Sequence, residues 1–186
     1  AANVNLRHGA VDVLPLPMEQ AVIFTQRIRS AGRQEMRLPG RYWRSDKMDL
    51  ATCLKKMELV GVLAFATVDS EGAPQIRNIS AIHYEPDALY FFTARGKNFC
   101  KELMEDGRVQ ILAYTKYKEM IRLSGKAYAV AENEQKKWMD IIFEEQPYLA
   151  NVYPGDTREI GIIFCIDKAE VEYFNLGVNP IFRETY

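Results

Sequence analysis

Between Gly61 and Lys126, short apolar and β-branched runs alternate with turn signals, and this rhythm constrains the fold more than any other feature of the chain. The punctuation falls at Asp69-Ser70-Glu71-Gly72, at Glu85-Pro86-Asp87 and at Asp106-Gly107. Runs of strand length between such turns describe a meander of antiparallel strands. Strands are expected at about 61–68, 74–82, 88–93, 108–115 and 119–130, the first two forming a hairpin. One segment breaks the rhythm. In Lys97-Asn98-Phe99-Cys100-Lys101-Glu102-Leu103-Met104, Phe99 and Leu103 lie four apart, and so do Lys97 and Lys101. That is the period of a helix.

Flanking elements complete the reading. Residues 45–60 read as a helix, with Ser45 or Asp46 able to cap it and Leu50, Cys53, Leu54 and Met57 as its apolar stripe. Gly61 marks its end. A second long helix is expected from Ala131 to Phe143, with Trp138, Ile141 and Ile142 facing inward and Pro147 as a stop. Tyr148–Pro154 reads as a turn. Ile160–Ile166 and Ala169–Phe174 read as a last strand bent at Asp167-Lys168, and the tail carries Phe182 and Tyr186. The expected division is an N-terminal arm over residues 1–46 and one domain over 47–186. The arm holds a short candidate helix from Met18 to Ser30. It also holds the arginines Arg27, Arg29, Arg33, Arg37, Arg41 and Arg44 around Tyr42-Trp43. Arginines with aromatics suit nucleic acid. However, Asp12, Glu19, Glu35 and Asp46 offset the charge and no recognition motif accompanies it. The arm is therefore read as packing on its own chain or a partner subunit, and nucleic-acid binding is not expected.

The chemistry concentrates between Arg77 and Lys97. A helix that starts near Gly96 aims unpaired N–H groups and the positive end of its dipole at the space before it. Lys97 opens that helix and Arg95 precedes it, so an anion such as phosphate suits the position. On the strand two before, Arg77 shares a face with Ile79 and Ala81, and a charge on an apolar face calls for an anionic partner. Arg77, the Thr93 hydroxyl and Lys97 are thus candidates to hold a phosphate, against the alternative of ordinary solvated charges. Asn78, Ser80 and Gln110 offer polar groups for the edge of a heterocycle, or simply face solvent. His83 ends its strand as a candidate acid–base group or as a structural residue.

Composition excludes several classes. Across 186 residues the apolar share is 48%, the charged share 26% and the formal net charge −1, so no global field recruits nucleic acid or an acidic membrane. Cys53, Cys100 and Cys165 are scattered, which indicates neither a disulfide framework nor a zinc site. Cys100 is read either as a core residue or as a thiol near a helix start. No run reaches the roughly 18 apolar residues of a membrane span, and no basic patch leads into an apolar core as in a secretory leader. A cytoplasmic protein with reduced thiols and no metal is the expectation.

The runs LAFATVDSEGAPQIRNISA, LYFFTARGKNFCKELMEDGRVQI and MIRLSGKA occur in that order. They resemble the pyridoxamine 5′-phosphate oxidase-like superfamily of flavin-binding split barrels, particularly the short bacterial members that include nitroimidazole-resistance-type reductases. The likeness covers about residues 48–175. It implies a mainly β fold, a six-stranded antiparallel Greek-key split barrel with helices, that binds FMN as a homodimer with sites at the interface. By the same resemblance Arg77, Thr93 and Lys97 would hold the flavin phosphate. Asn78, Ile79 and Phe92 would line the ring and ribityl chain, and Gln110 would add a polar contact, in some members from the other subunit. The implied activity is an FMN-dependent oxidoreductase passing electrons from a nicotinamide or other reduced carrier to a small-molecule acceptor. Alternatives are a flavin-binding or sensing module without turnover, or a related barrel using F420 or haem. Pyridoxamine phosphate oxidases carry a Ser-Arg-Lys cluster after the threonine and a basic, aromatic C-terminal motif. Here the cluster is Arg95-Gly96-Lys97 and the terminal motif lacks a counterpart, so vitamin B6 oxidation is not expected.

Overall fold

A computed structural model describes residues 48–186. The expected arm of residues 1–46, with its Met18–Ser30 helix, its arginine cluster and His8, lies outside the described residues. The described chain opens on helix α1 (Leu50–Val60), whose N-cap is Asp49 rather than Ser45 or Asp46; its carboxylate accepts from the Thr52 N–H at 2.8 Å. The helix ends at Gly61 as expected, with φ of 79° and its N–H returned to the Met57 carbonyl. Cys53, Leu54 and Met57 turn inward.

Ten strands follow: β1 (Leu63–Val68), β2 (Pro74–Ile79), β3 (Ile82–Tyr84), β4 (Leu89–Ala94), β5 (Arg108–Tyr114), β6 (Glu119–Lys126), β7 (Tyr128–Ala129), β8 (Gly161–Ile166), β9 (Ala169–Asn175) and β10 (Phe182–Thr185). Helix α2 (Asn98–Glu105) sits between β4 and β5, and α3 (Glu132–Glu145), the short α4 (Leu149–Val152) and a 3₁₀ turn (Gly155–Ile160) lie between β7 and β8. The strands form two antiparallel sheets, a six-stranded one in the order β10-β9-β6-β5-β1-β2 and a four-stranded one in the order β3-β4-β8-β7.

The expected split-barrel class holds, in the form of two open sheets, not one closed ring of six strands. The difference has local causes. The expected strand 74–82 is two strands, because at Ser80-Ala81 the chain leaves the larger sheet and enters the smaller one. The expected strand 119–130 divides in the same way after Lys126. The final bent strand is two separate strands, β8 and β9, also in different sheets. Phe182 belongs to a further edge strand, β10, paired with β9.

The core is layered. Phe65, Phe91, Phe164, Ile111 and Leu123 fill the space between the sheets, closed by α1 and α2. A second cluster of Phe92, Trp138, Met139, Ile142 and Ile163 packs α3 against the smaller sheet. Strand β8 is buried at every position because it lies between these two layers, which is why it reads as an unbroken apolar run rather than an alternation. Gln135 ties α3 to it. Its amide donates to the carbonyls of Val130 (2.8 Å) and Ile163 (3.1 Å) and accepts from the Ile163 N–H (2.7 Å). A buried polar side chain is tolerated here because its bonds are made.

Candidate functional site

A cleft of about 460 Å³ opens where β2 leaves the larger sheet, and its size lies in the range of roughly 300–1,000 Å³ found for small-ligand sites. One wall is the end of β2, Arg77 to Ile79, continued by Ser80 and Ala81. The floor is Phe92 and Thr93 of β4, and the far end is Lys97, Asn98 and Phe99 where α2 begins. The opposite wall comes from residues 147–154, through Tyr148, Leu149, Val152 and Tyr153. Six of the seven sequence-expected site residues (Arg77, Asn78, Ile79, Phe92, Thr93 and Lys97) therefore line one cleft. Gln110 does not. It lies on the outward face of β5, where its amide donates to the Ser124 hydroxyl at 2.7 Å.

Local rules place these groups. Gly96 precedes α2 with φ of 87°, a left-handed conformation that a side chain would strain. It lets the chain reverse from β4 into the helix and leaves Lys97 as the N-cap, extended at φ −76° and ψ 145° and without a side-chain cap bond. The first N–H groups of α2 accordingly lack intrahelical acceptors, and the residues that carry them, Asn98 and Phe99, line the cleft end. Gly161 acts through contact instead. A Cβ there would collide with the Phe92 ring and sit 2.9 Å from the Arg158 carbonyl, so the bare backbone leaves room for Phe92 in the floor.

The expectation that Arg77 needs an anionic ligand is corrected by its neighbours. Glu102 on α2, only 5% exposed, pairs with the Arg77 guanidinium at 2.8 Å. Thr67 accepts from Arg77 and donates to Glu102, and the guanidinium lies 4.6 Å from the centre of the Phe99 ring. In register, Arg77 stands opposite the buried Phe65, so it points to the inner face of the sheet, where a lone cation would be costly. The internal carboxylate removes that cost. Arg77 nevertheless lines the cleft, and its fork of five N–H donors exceeds the bonds that Thr67 and Glu102 take up.

Lys97 is exposed and donates from Nζ to the Tyr153 hydroxyl at 2.9 Å. Thr93 is buried, and its hydroxyl has no side-chain partner among the described residues. Ser80 shares a 2.7 Å hydrogen bond with the Tyr148 hydroxyl, which ties the two walls together. Two positive charges, one internal negative charge and a helix start give the inner end of the cleft a net attraction for anions. Ile79, Phe92 and Leu149 supply apolar surface beside it.

Other candidates lie elsewhere. His83 stands outside the cleft, with Glu145 at 2.8 Å from Nδ1, Glu85 at 3.2 Å from Nε2, and the Trp138 ring 5.6 Å away. Arg95 faces Glu132 at 3.8 Å. All three cysteines are buried free thiols, and burial raises the Cys100 pKa despite the nearby Arg95, the opposite of an activated thiolate. The sequence reading missed Glu102, which looks like one more polar residue on a surface helix, and Tyr148 and Tyr153, which lie in a stretch read only as a turn. No helix among the described residues is long and apolar enough to cross a membrane.

The architecture has known counterparts. A NimC/NimA family protein from Clostridium acetobutylicum superposes with a TM-score of 0.62 at 22% identity, over 74% of this chain and 91% of that one. A pyridoxamine 5′-phosphate oxidase-related, FMN-binding protein from Nostoc punctiforme gives 0.59 at 18%, over 73% and 87%. A haem-binding protein from Mycobacterium smegmatis gives 0.59 at 13%, over 76% and 59%. At such identities the likeness establishes the fold alone. No curated protein sequence matches the chain. A family profile described as pyridoxamine 5′-phosphate oxidase matches residues 54–162, more than half of the sequence and every strand from β1 to β7. By that match and by its fold, the chain belongs to the pyridoxamine 5′-phosphate oxidase-like superfamily.

Proposed function

We propose that the protein binds FMN in this cleft and works as an FMN-dependent oxidoreductase on a small-molecule acceptor, with a nicotinamide or another reduced carrier as electron source. The observation that carries the reading is the polarity of one cavity: Arg77, Thr93 and Lys97 at its inner end, and Ile79, Phe92 and Leu149 along its walls. A flat aromatic ring on a phosphorylated chain has that distribution of charge and apolar surface. When bound, the flavin supplies the electron-transfer chemistry. The chain's own residues bind and orient it. Arg77, fixed by Glu102, and Lys97 with the first N–H groups of α2 neutralise the phosphate, and Thr93 donates to it from the floor. Asn78 stands at the exposed edge of the wall, where its amide can meet the polar rim of a heterocycle.

In this reading the site is completed by a second copy of the chain. Gln110 shares the outward face of the larger sheet with Ile76, each opposite Ala66 in register, and on this reading it would meet the flavin of the partner copy. Haem is disfavoured among the described residues, since His83 is engaged by two carboxylates outside the cleft.

Protein purified without added cofactor should show the visible absorption bands of a flavin, and the extracted cofactor should have the mass of FMN. Reduced nicotinamide should bleach it in the absence of oxygen, and a small acceptor should restore it. A colourless chain that takes up no added FMN would sink the proposal. Bound flavin that no reductant bleaches would leave a binding or sensing module in place of an enzyme.

A further inference from the structure

The geometry points to Tyr153 as the residue that makes the site selective for a phosphorylated flavin over the same ring without phosphate. This rests on the FMN reading and adds a ligand from a segment that carries no sequence signal for it. The Tyr153 oxygen already accepts a hydrogen bond from Lys97 Nζ at 2.9 Å, so the phenol's own proton must point elsewhere, and no acceptor among the described residues takes it. Accepting from a cation makes a hydroxyl a better donor, because the two bonds polarise each other. An oxygen carrying negative charge at the inner end of the cleft is the natural acceptor. It would be bound by Lys97 and by the Tyr153 hydroxyl together.

The ring is held for this task. Its edge contact with Phe92 has a centroid distance of 4.9 Å, and Lys97 Nζ lies 5.6 Å from its centre. Its backbone N–H closes α4 on the Leu149 carbonyl at 2.8 Å. At the other end of the same wall, the Tyr148–Ser80 bond ties the segment to the strand that carries Arg77. Two phenols on one segment therefore meet opposite sides of the cleft. Of the two, Tyr153 alone meets a cation among the described residues.

Titrating the full chain with FMN and with riboflavin, read by flavin fluorescence, tests the assignment in the wild type, Tyr153→Phe and Tyr148→Phe. Phenylalanine keeps the ring and its packing. Tyr153→Phe should weaken FMN binding roughly tenfold, the scale of one charge-assisted hydrogen bond, and leave riboflavin binding within about twofold. Tyr148→Phe should leave the ratio of the two affinities as in the wild type. An unchanged ratio in Tyr153→Phe overturns the assignment. So does tighter FMN binding, since the phenol would then compete with phosphate for Lys97. A wild type that binds FMN and riboflavin equally refutes the selectivity while the flavin site stands, whereas one that binds neither removes the FMN reading itself.

Discussion

Arg77 and Lys97 look interchangeable as two cations lining one cleft, yet their surroundings give them different work. Arg77 is 22% exposed by side chain and neutralises the buried Glu102, whereas Lys97 is exposed and, among the described residues, its cationic head meets only a phenol. Removing one member of a mostly buried pair strands the other. Arg77→Ala should therefore lower folding stability by about 2–3 kcal/mol and weaken FMN binding as well. Lys97→Ala should weaken FMN binding roughly tenfold or more and leave stability within about 0.5 kcal/mol. Urea unfolding beside flavin titration separates the two, and equal stability losses would refute the distinction. The same contrast shows what was legible at this scale. That the residues carry charge near a helix start could be read from spacing. The partner of Arg77 could not, because Glu102 lies 25 positions away and only the packing of α2 against β1 brings it beneath the guanidinium.

Elements were legible where the side-chain period held and illegible where the chain changed sheets. Helix α1, α2 and α3 fall within a few residues of expectation, because their apolar stripes repeat every three or four residues. The break between β2 and β3 carries no glycine or proline: Ile79-Ser80-Ala81-Ile82 continues a strand-like pattern while the backbone crosses to another sheet. Two predictions belong to this scale. Gly161 opens β8 against β4, and Gly161→Ala places a methyl into Phe92 and the Met139 terminus, so the site floor must shift. An overpacked junction of this kind costs about 1–3 kcal/mol and should weaken flavin binding with no change to any polar ligand. A fully stable Gly161→Ala protein that binds flavin as tightly as the wild type would show that Phe92 has room to move. The second concerns Glu119 of β6, which joins α1 to the larger sheet. Burial pushes its carboxyl pKa up, but bonds from Lys56 (2.7 Å), Tyr173 (2.7 Å) and Thr115 (3.0 Å) outweigh that and hold it below its ordinary value of 4.5. A depressed folded-state pKa favours the ionised native form, so this stabilisation is complete above about pH 4.5 and drains away as pH falls through the folded value. Denaturant midpoints should fall across that acid range in the wild type and fall less steeply in Glu119→Gln. Parallel curves would assign acid sensitivity to other carboxylates.

For the molecule as a whole, the larger sheet has one face in the core and one in solvent, and the solvent face is unusually apolar where it borders the cleft. Antiparallel register places Ile76, Ala66, Gln110 and Ser124 in one row and Asn78, Ala64, Leu112 and Arg122 in the next. Ile76 is 74% exposed, Leu112 41% and Tyr114 55%, against the usual rule that an outward sheet face is polar. The cleft residue Asn78 lies in the same patch as the outward Gln110. Covering this face with a second copy would bury the apolar side chains and bring the partner copy's surface to the open side of each cleft. Leu112→Arg sets a second guanidinium directly across from Arg122. It adds a charge that a packed interface cannot desolvate, yet a free monomer tolerates it in water. Sedimentation of the wild type should give the mass of two chains, and that of Leu112→Arg the mass of one, with folding retained by circular dichroism and flavin lost. Gln110→Ala should remain dimeric and bind flavin more weakly. A wild type that sediments as one chain while holding its flavin would mean that a single copy closes the site, and Gln110 would then have no part in it.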